Sequence, residues 1–209
     1  MSKRREVRKK QIVAYQGEAL PGVYIIRKGI IRAYSILPNG SEVNAAVYGK
    51  GDYFPVETAY GISPNTIFYY EALSDCTIEI LSQNEFVEAR AKDPNTAVLD
   101  SKRYVGALLH VNAIGQATAS DKLGHTLRYL ALRFGVELPQ KSHMRINLKL
   151  TQQDIADLST ISRETVSTEL AAYRESGAVI EKSKIYTVNL AKLNSQLGDE
   201  FASDAQLLK

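Results

Sequence analysis

Apolar and polar residues alternate over short stretches from about Gln11 to Leu81, in the runs IVAYQGE, VYIIRKGIIRAYSI, SEVNAAVYGKGDYF and NTIFYYEALSDCTIEIL. A period near two predicts strands with one buried face, and the glycine breaks between runs make them short and antiparallel. Asn39-Gly40 suits the positive φ angles of a two-residue hairpin, and Lys28-Gly29 divides two β-rich runs. Short strands at regular spacing favour a closed or sandwiched roll, which leaves few open edges. Ser82 then opens a short helix running to Ala91, with Glu85 three residues on to complete a capping box.

The pattern changes after Pro94, which stands where a helix can begin. The next break falls near Ser120, so a single helix of roughly 25 residues is expected. Val98, Val105, Asn112 and Ala119 recur every seven residues, with Leu108 and Leu109 between, as in a coiled-coil seam. A lone Asn112 there would favour two strands in one register by pairing with its twin; the same face could instead pack on the β domain. Ser120-Asp121 is expected to cap a further helix, Lys122 to Phe134, with Leu123, Leu127, Leu130 and Phe134 as its apolar stripe and Gly135 at its end. A hinge is placed near Ser120.

Residues 150 to 188, LTQQDIADLSTISRETVSTELAAYRESGAVIEKSKIYTV, are the most specific stretch. Thr151 can cap a helix with Asp154 as its reciprocal partner, Ile155 and Leu158 point inward, and Ala156 is small enough for a second helix to cross nearby. Ser159-Thr160-Ile161 makes a short turn and Ser162 caps a second helix, whose Val166, Leu170 and Tyr173 form a buried face. Arg163, Glu164, Ser167 and Thr168 lie opposite, in the first two turns, the end that a recognition helix inserts into the major groove. Gly177 closes this helix, and Ala178 to Ile180 pairs with Ile185 to Val188 across Lys182-Ser183-Lys184 as a hairpin whose tip can reach phosphate. On pattern alone a plain packing module of two helices and a hairpin stays open beside DNA binding.

Charge lends this reading no support. The net charge of +3 is concentrated in residues 3 to 10, six Lys or Arg against one Glu, whereas residues 149 to 184 hold five basic and six acidic residues. The basic N-terminus is expected either to touch phosphate or to be a solvated, frayed end. Cys76 is the sole cysteine, which excludes an intramolecular disulfide, a cysteine zinc finger and a four-cysteine cluster, and leaves a small buried hydrophobe or a thiol. No apolar run is long enough to span a bilayer, so the expectation is a cytoplasmic protein that meets no membrane. There is no glycine-rich phosphate loop, no metal-spaced histidine cluster and no nucleophile elbow, so an enzyme is not expected.

The string ISRETV, preceded by LTQQDIA and followed by RESGAVI, closely resembles the winged helix-turn-helix of the Crp/Fnr family of bacterial transcription factors. The resemblance covers nearly the whole chain and implies an α+β protein: an N-terminal antiparallel, jelly-roll-like β-roll, a long dimerisation helix and a C-terminal winged helix-turn-helix. The expected division is 1–93 for the roll, 94–119 for the helix and 120–209 for the winged domain. By the same resemblance Arg163 donates to guanine and Glu164 accepts from cytosine, in a two-fold symmetric site. Position 167 holds the serine of the oxygen-sensing branch, and Thr168 stands where both well-known branches carry arginine. The DNA-contacting set is Thr151, Gln152, Ser162, Arg163, Glu164, Ser167, Thr168 and Lys184; the dimer set is Val98, Val105, Leu108, Leu109 and Asn112. Thr160 occupies a turn position usually given to glycine, where left-handed backbone would be mildly strained.

Implied partners are double-stranded DNA, a second copy of the chain and RNA polymerase, with an unidentified small-molecule effector possible and no cofactor or metal expected. The relatives that bind cyclic AMP use a Gly-Glu pair and an Arg-Ser or Arg-Thr pair. Here Gly51-Asp52 opens the region, Glu57 is the candidate for the ribose, and no arginine lies between Gly51 and Leu81; Thr66 and Ile67 stand nearest the Arg-Ser pair. An anionic phosphate without its cation is poorly held, so cyclic AMP is not the expected effector. Apolar residues around Ala107 to Leu109 replace the base-contacting hydroxyls. His110, His125 and His143 are expected as surface or packing histidines, and Tyr53, Tyr60, Tyr69 and Tyr70 either line an aromatic pocket or fill the roll's core.

Overall fold

A computed structural model describes residues 3–198; residues 1–2 and 199–209, the outer ends of the expected 1–93 and 120–209 segments, lie outside the described residues. Eight strands come first: β1 (Lys3–Val7), β2 (Ile12–Ala14), β3 (Val23–Lys28), β4 (Ile31–Ile36), β5 (Glu42–Tyr48), β6 (Tyr53–Phe54), β7 (Tyr69–Ala72) and β8 (Cys76–Leu81), with a short helix α1 (Val56–Ala59) before β7. They form two antiparallel sheets, ordered β1-β8-β3-β6 and β2-β7-β4-β5. Val7, Ile26, Phe54 and Ile78 from one sheet share a core with Ala14, Ile31, Ala33 and Tyr70 from the other, so the sheets face each other as a roll. Each large apolar side chain removed from water there contributes roughly 1.5–3 kcal/mol.

Two details of the roll differ from expectation. The basic N-terminus is not frayed over its described residues: Lys3–Val7 pairs antiparallel with β8, and Val7 is buried. Its charges are tolerated because β1 is an edge strand, where lysine and arginine discourage a further strand from adding. The β4–β5 hairpin is also not a two-residue loop. Only Gly40 is left-handed (φ 82°), and it donates to the Leu37 carbonyl at 2.8 Å while Leu37 donates to Ser41 at 2.8 Å. This is a three-residue connection, with Pro38 supplying the fixed φ of the turn and Gly40 the bulge.

After the roll, α2 (Gln83–Lys92) starts at Ser82 with the expected capping box to Glu85. The expected continuous helix from Pro94 to Ser120 is shorter: α3 runs Thr96–Ile114, and 115–118 are not helical. Pro94 and Asn95 form a turn in which Asn95 donates to the Asp93 carboxylate at 2.9 Å. Gly115 follows the helix, and Thr118, not Ser120, caps the next one, α4 (Ala119–Phe134), by accepting from Asp121 N–H at 3.0 Å. The Thr-x-x-Asp spacing at 118–121 is itself a start signal, and it outcompetes continuation of α3. The chain divides into two compact units between Arg103 and Tyr104, within α3.

The second unit adds β9 (Gly135–Glu137), β10 (His143–Ile146), α5 (Gln152–Ser159), α6 (Arg163–Glu175), β11 (Val179–Lys182), β12 (Ile185–Asn189) and α7 (Leu190–Leu197). Its sheet is ordered β11-β12-β10-β9, so the expected hairpin β11–β12 is extended by two strands, and His143 lies on β10. The protein is thus α+β, with an N-terminal β-roll, a long helix and a C-terminal winged helix-turn-helix.

Candidate nucleic-acid interface

Local chemistry sets the two helices that carry the candidate contacts. Thr151 accepts from Asp154 N–H at 3.1 Å and Asp154 accepts from Thr151 N–H at 2.8 Å, which satisfies two of the orphan donors at the start of α5. Ile155, Ala156 and Leu158 are buried, as their spacing implied. The helix ends at Thr160, which is left-handed (φ 55°, ψ 39°). Ser162 then accepts from Thr165 N–H at 3.1 Å and starts α6.

Position and orientation of α6 come from its buried face. Val166, Leu170 and Tyr173 are buried, and the Tyr173 hydroxyl donates to the Ser120 carbonyl of α4 at 3.0 Å. Gly124 permits this approach, because a Cβ there would collide with the Tyr173 hydroxyl. The opposite face exposes Arg163, Glu164, Ser167 and Thr168 together on the first two turns. Ala171 and Ala172, which sequence reading passed over, extend that exposed face by a turn.

Hydrogen bonds from its own backbone N–H and then from the Ser162 hydroxyl, helped by the neighbouring Arg163 charge, hold the Glu164 carboxyl below the usual glutamate range. Glu164 is therefore an acceptor throughout the neutral range. A second cluster lies at the wing. Ser183 (φ 52°) and Lys184 (φ 66°) are both left-handed, as a two-residue turn between β11 and β12 requires. The Lys184 carbonyl accepts from Leu150 N–H at 2.9 Å, which ties the wing turn to the start of α5 beside Thr151 and Gln152. Arg174 of α6 meets Glu181 of β11 at 2.9 Å and braces the wing against the helix.

On α3 the expected seam is partly exposed. Val98, Leu108 and Asn112 face solvent, whereas Val105 and Leu109 are half-buried. Tyr104 and Val111, which the seven-residue repeat omits, are 67% and 55% exposed. With Leu108 they sit at i, i+4 and i+7, the spacing of one helix face, and that signal was present in the sequence. The Asn112 side-chain oxygen accepts from Gln116 at 3.1 Å in the last turn.

In the roll, the four tyrosines do not gather into one pocket. Tyr70 is in the main core, stacked on Phe54 at 4.8 Å, and Tyr53 packs on Phe86 at 4.6 Å. Tyr69 stacks on Tyr34, and Tyr60, 44% exposed, sets its ring edge-on against Tyr53 and Phe86. The Glu57 carboxylate, buried, accepts from Ile67 N–H at 2.9 Å and faces the Tyr70 hydroxyl at 3.4 Å. Thr66 donates to the Tyr15 carbonyl at 2.5 Å. Asp52 accepts from Gly49 N–H at 2.7 Å and from Arg103 at 2.7 Å. Arg103 also meets Asp100 at 2.8 Å, and Asp100 in turn meets Arg90 at 2.6 Å, a charged cluster with no local sequence signature. Cys76 is buried and donates to the Ser74 and Ile30 carbonyls, and His110 packs on Tyr129 with ring centroids 5.1 Å apart. Among the described residues no group of His, Cys, Asp and Glu gathers as a metal site, and no described helix is long and apolar enough to cross a membrane.

Two family models match the chain: a cyclic nucleotide-binding domain over residues 4–93 and a Crp-like helix-turn-helix domain over residues 121–195. The chain is similar to the transcriptional regulator LdrP of Thermus thermophilus, at 24% identity over 192 residues, covering 91% of this chain and 94% of that protein. It is also similar to the nitrogen fixation regulation protein FixK of Azorhizobium caulinodans, at 28% identity over 75% of this chain and 63% of that protein. Among solved structures, FixK2 of Bradyrhizobium japonicum shares the fold with a TM-score of 0.73, at 22% identity over 93% of this chain and 96% of that one.

Proposed function

The chain belongs to the Crp/Fnr family of transcription regulators, and on that premise we propose that it binds a two-fold symmetric DNA site as a homodimer. Arg163 donates to guanine O6 and N7, and Glu164 accepts from the cytosine amino group. The observation that carries this reading is the face of α6: Arg163, Glu164, Ser167 and Thr168 are exposed together on its first two turns, opposite the buried Val166, Leu170 and Tyr173. Lys184 at the wing turn reaches phosphate, and Thr151, Gln152 and Ser162 at the helix starts complete the DNA-contacting set. Functionally the chain then divides into a roll (1–93), a dimerisation helix (94–119) and a winged domain (120–209).

Selection from random duplexes, followed by an electrophoretic shift, tests this. Wild-type protein should select a symmetric site with a G·C pair in each half, and Arg163→Ala should lose about 1–3 kcal/mol of discrimination at that pair. Absence of any preferred duplex, or selectivity that survives Arg163→Ala, would show that the C-terminal unit serves another role. In a dimer, the two recognition helices would enter grooves about 34 Å apart. The exposed Tyr104, Leu108 and Val111 support α3 as the pairing helix, together with Val98, Val105, Leu109 and Asn112. A solution mass of one chain, with tight DNA binding, would count against the pairing.

Cyclic AMP does not fit the roll. The Ile67 N–H and the Glu57 carboxylate are joined to each other, the Thr66 hydroxyl is held by Tyr15, and no arginine follows Gly51 before Leu81. A different small molecule, or none, governs the protein; titration calorimetry with cyclic AMP and cyclic GMP should give no heat of binding at micromolar concentration. As a regulator it acts in the cytoplasm, with RNA polymerase as the machinery it addresses.

A further inference from the structure

Beyond Arg163 and Glu164, the exposed positions of the second and third turns of α6 are Ser167, Thr168, Ala171 and Ala172, and none carries a charge. The Thr168 hydroxyl donates to the Glu164 carbonyl at 3.2 Å, one turn back in the same helix. Its single proton is thereby engaged inside the helix, so this exposed residue has no donor left for a base edge and keeps its methyl to offer. Ala171, less than one turn on, presents a methyl as well. A methyl offers nothing to the acceptors of guanine or adenine, but it fits the 5-methyl group of thymine, the one apolar feature on a base edge in the major groove.

We infer that Thr168, supported by Ala171, selects a thymine by methyl contact, next to the G·C pair read by Arg163 and Glu164. This rests on the reading of α6 as a recognition helix. Four residues of helix advance about 6 Å, and stacked bases repeat about every 3.4 Å. The thymine therefore lies within about two base pairs of the G·C pair. A positively charged side chain at position 168 would instead seek a guanine or a phosphate, so Thr168 redirects the half-site from a second G·C pair to an A·T pair.

Uracil in place of thymine removes the methyl and nothing else, which isolates the contact. Starting from the selected duplex, each thymine of one half-site is replaced in turn by uracil and affinity is measured by competition. Wild-type protein should lose about fourfold at one position near the G·C pair, the value expected for one buried methyl, and about fifteenfold when both half-sites are changed. Thr168→Ser keeps the hydroxyl and removes the methyl; it should bind the thymine duplex about as weakly as wild type binds the uracil duplex, and be indifferent to the exchange. Thr168→Val keeps a methyl and removes the hydroxyl, and should retain the sensitivity. Position 168 is exposed, so both variants should fold, and circular dichroism checks that they do. A selected G·C-containing site without uracil sensitivity, or sensitivity unchanged in Thr168→Ser, overturns the thymine assignment alone. Loss of binding in Thr168→Val with indifference to uracil assigns the contact to the hydroxyl and overturns it too. If wild type selects no duplex, the recognition helix itself is refuted.

Discussion

Thr160 joins α5 to α6 in left-handed backbone, and replacing it by alanine and by glycine tests that turn through a difference of one Cβ. In an ordinary helical position glycine is less stable than alanine by about 1 kcal/mol. At φ 55° and ψ 39° the order should reverse, because a Cβ there crowds the following carbonyl at roughly 1–2 kcal/mol. Glycine also gains freedom in the unfolded chain, which offsets about 0.4–1 kcal/mol of this. The net expectation is that Thr160→Gly exceeds Thr160→Ala by about 0.5–1 kcal/mol. The chain has no tryptophan, so urea unfolding is followed by far-ultraviolet circular dichroism, where α4 to α7 contribute. With a slope of about 2 kcal/mol per molar, the midpoints should differ by about 0.4 M urea. An alanine variant as stable as the glycine variant would refute the left-handed turn.

Arg103→Met should destabilise the roll by about 3 kcal/mol, because it removes the guanidinium that meets the buried Asp52 carboxylate at 2.7 Å, whereas Arg163→Ala, at an exposed site, should change stability by less than about 0.5 kcal/mol; equal losses in a denaturation series would contradict this. Glu164 has a folded pKa below its unfolded value of about 4.3. Its ionised form is therefore favoured by folding above that value, and the benefit disappears as pH falls through the lower folded value, so discrimination at the G·C pair should be unchanged from pH 8 to pH 5. A loss of discrimination between pH 7 and pH 5 in competition binding would mean that Glu164 is not the group responsible. Burial pushes the Cys76 thiol up from its ordinary value, and a thiol reagent should label it only after denaturant is added; rapid labelling of the native protein would place it at the surface.

The helix-turn-helix was legible because each of its parts has a local cause: Thr151 with Asp154, Ser162, Gly177 and the spacing of Val166, Leu170 and Tyr173 lie within one turn of what they control. The roll was legible in outline for the same reason, through alternation and Gly29. Strand β1 was not, since Val7 is its only apolar residue and its pairing is decided by β8, some seventy residues later. Strands β9 and β10 are too short and polar for a period to show. The end of α3 was not legible either: Ser120-Asp121 offers a start signal, and the cap at Thr118, two residues earlier, decides the break. Arg103 and Asp52 are 51 residues apart, and nothing near either announces the other. In the candidate interface the charged pair at 163 and 164 was readable from position, but the engaged hydroxyl of Thr168 is a matter of rotamer, which only coordinates supply.

The boundary between the two compact units falls inside α3, between Arg103 and Tyr104, where the backbone is helical on both sides. A protease needs an extended segment of several residues in its cleft, and a hydrogen-bonded helix denies it one. Limited digestion should therefore cut after α3, in the non-helical 115–118 stretch, and yield an N-terminal fragment that retains all of α3 together with the roll.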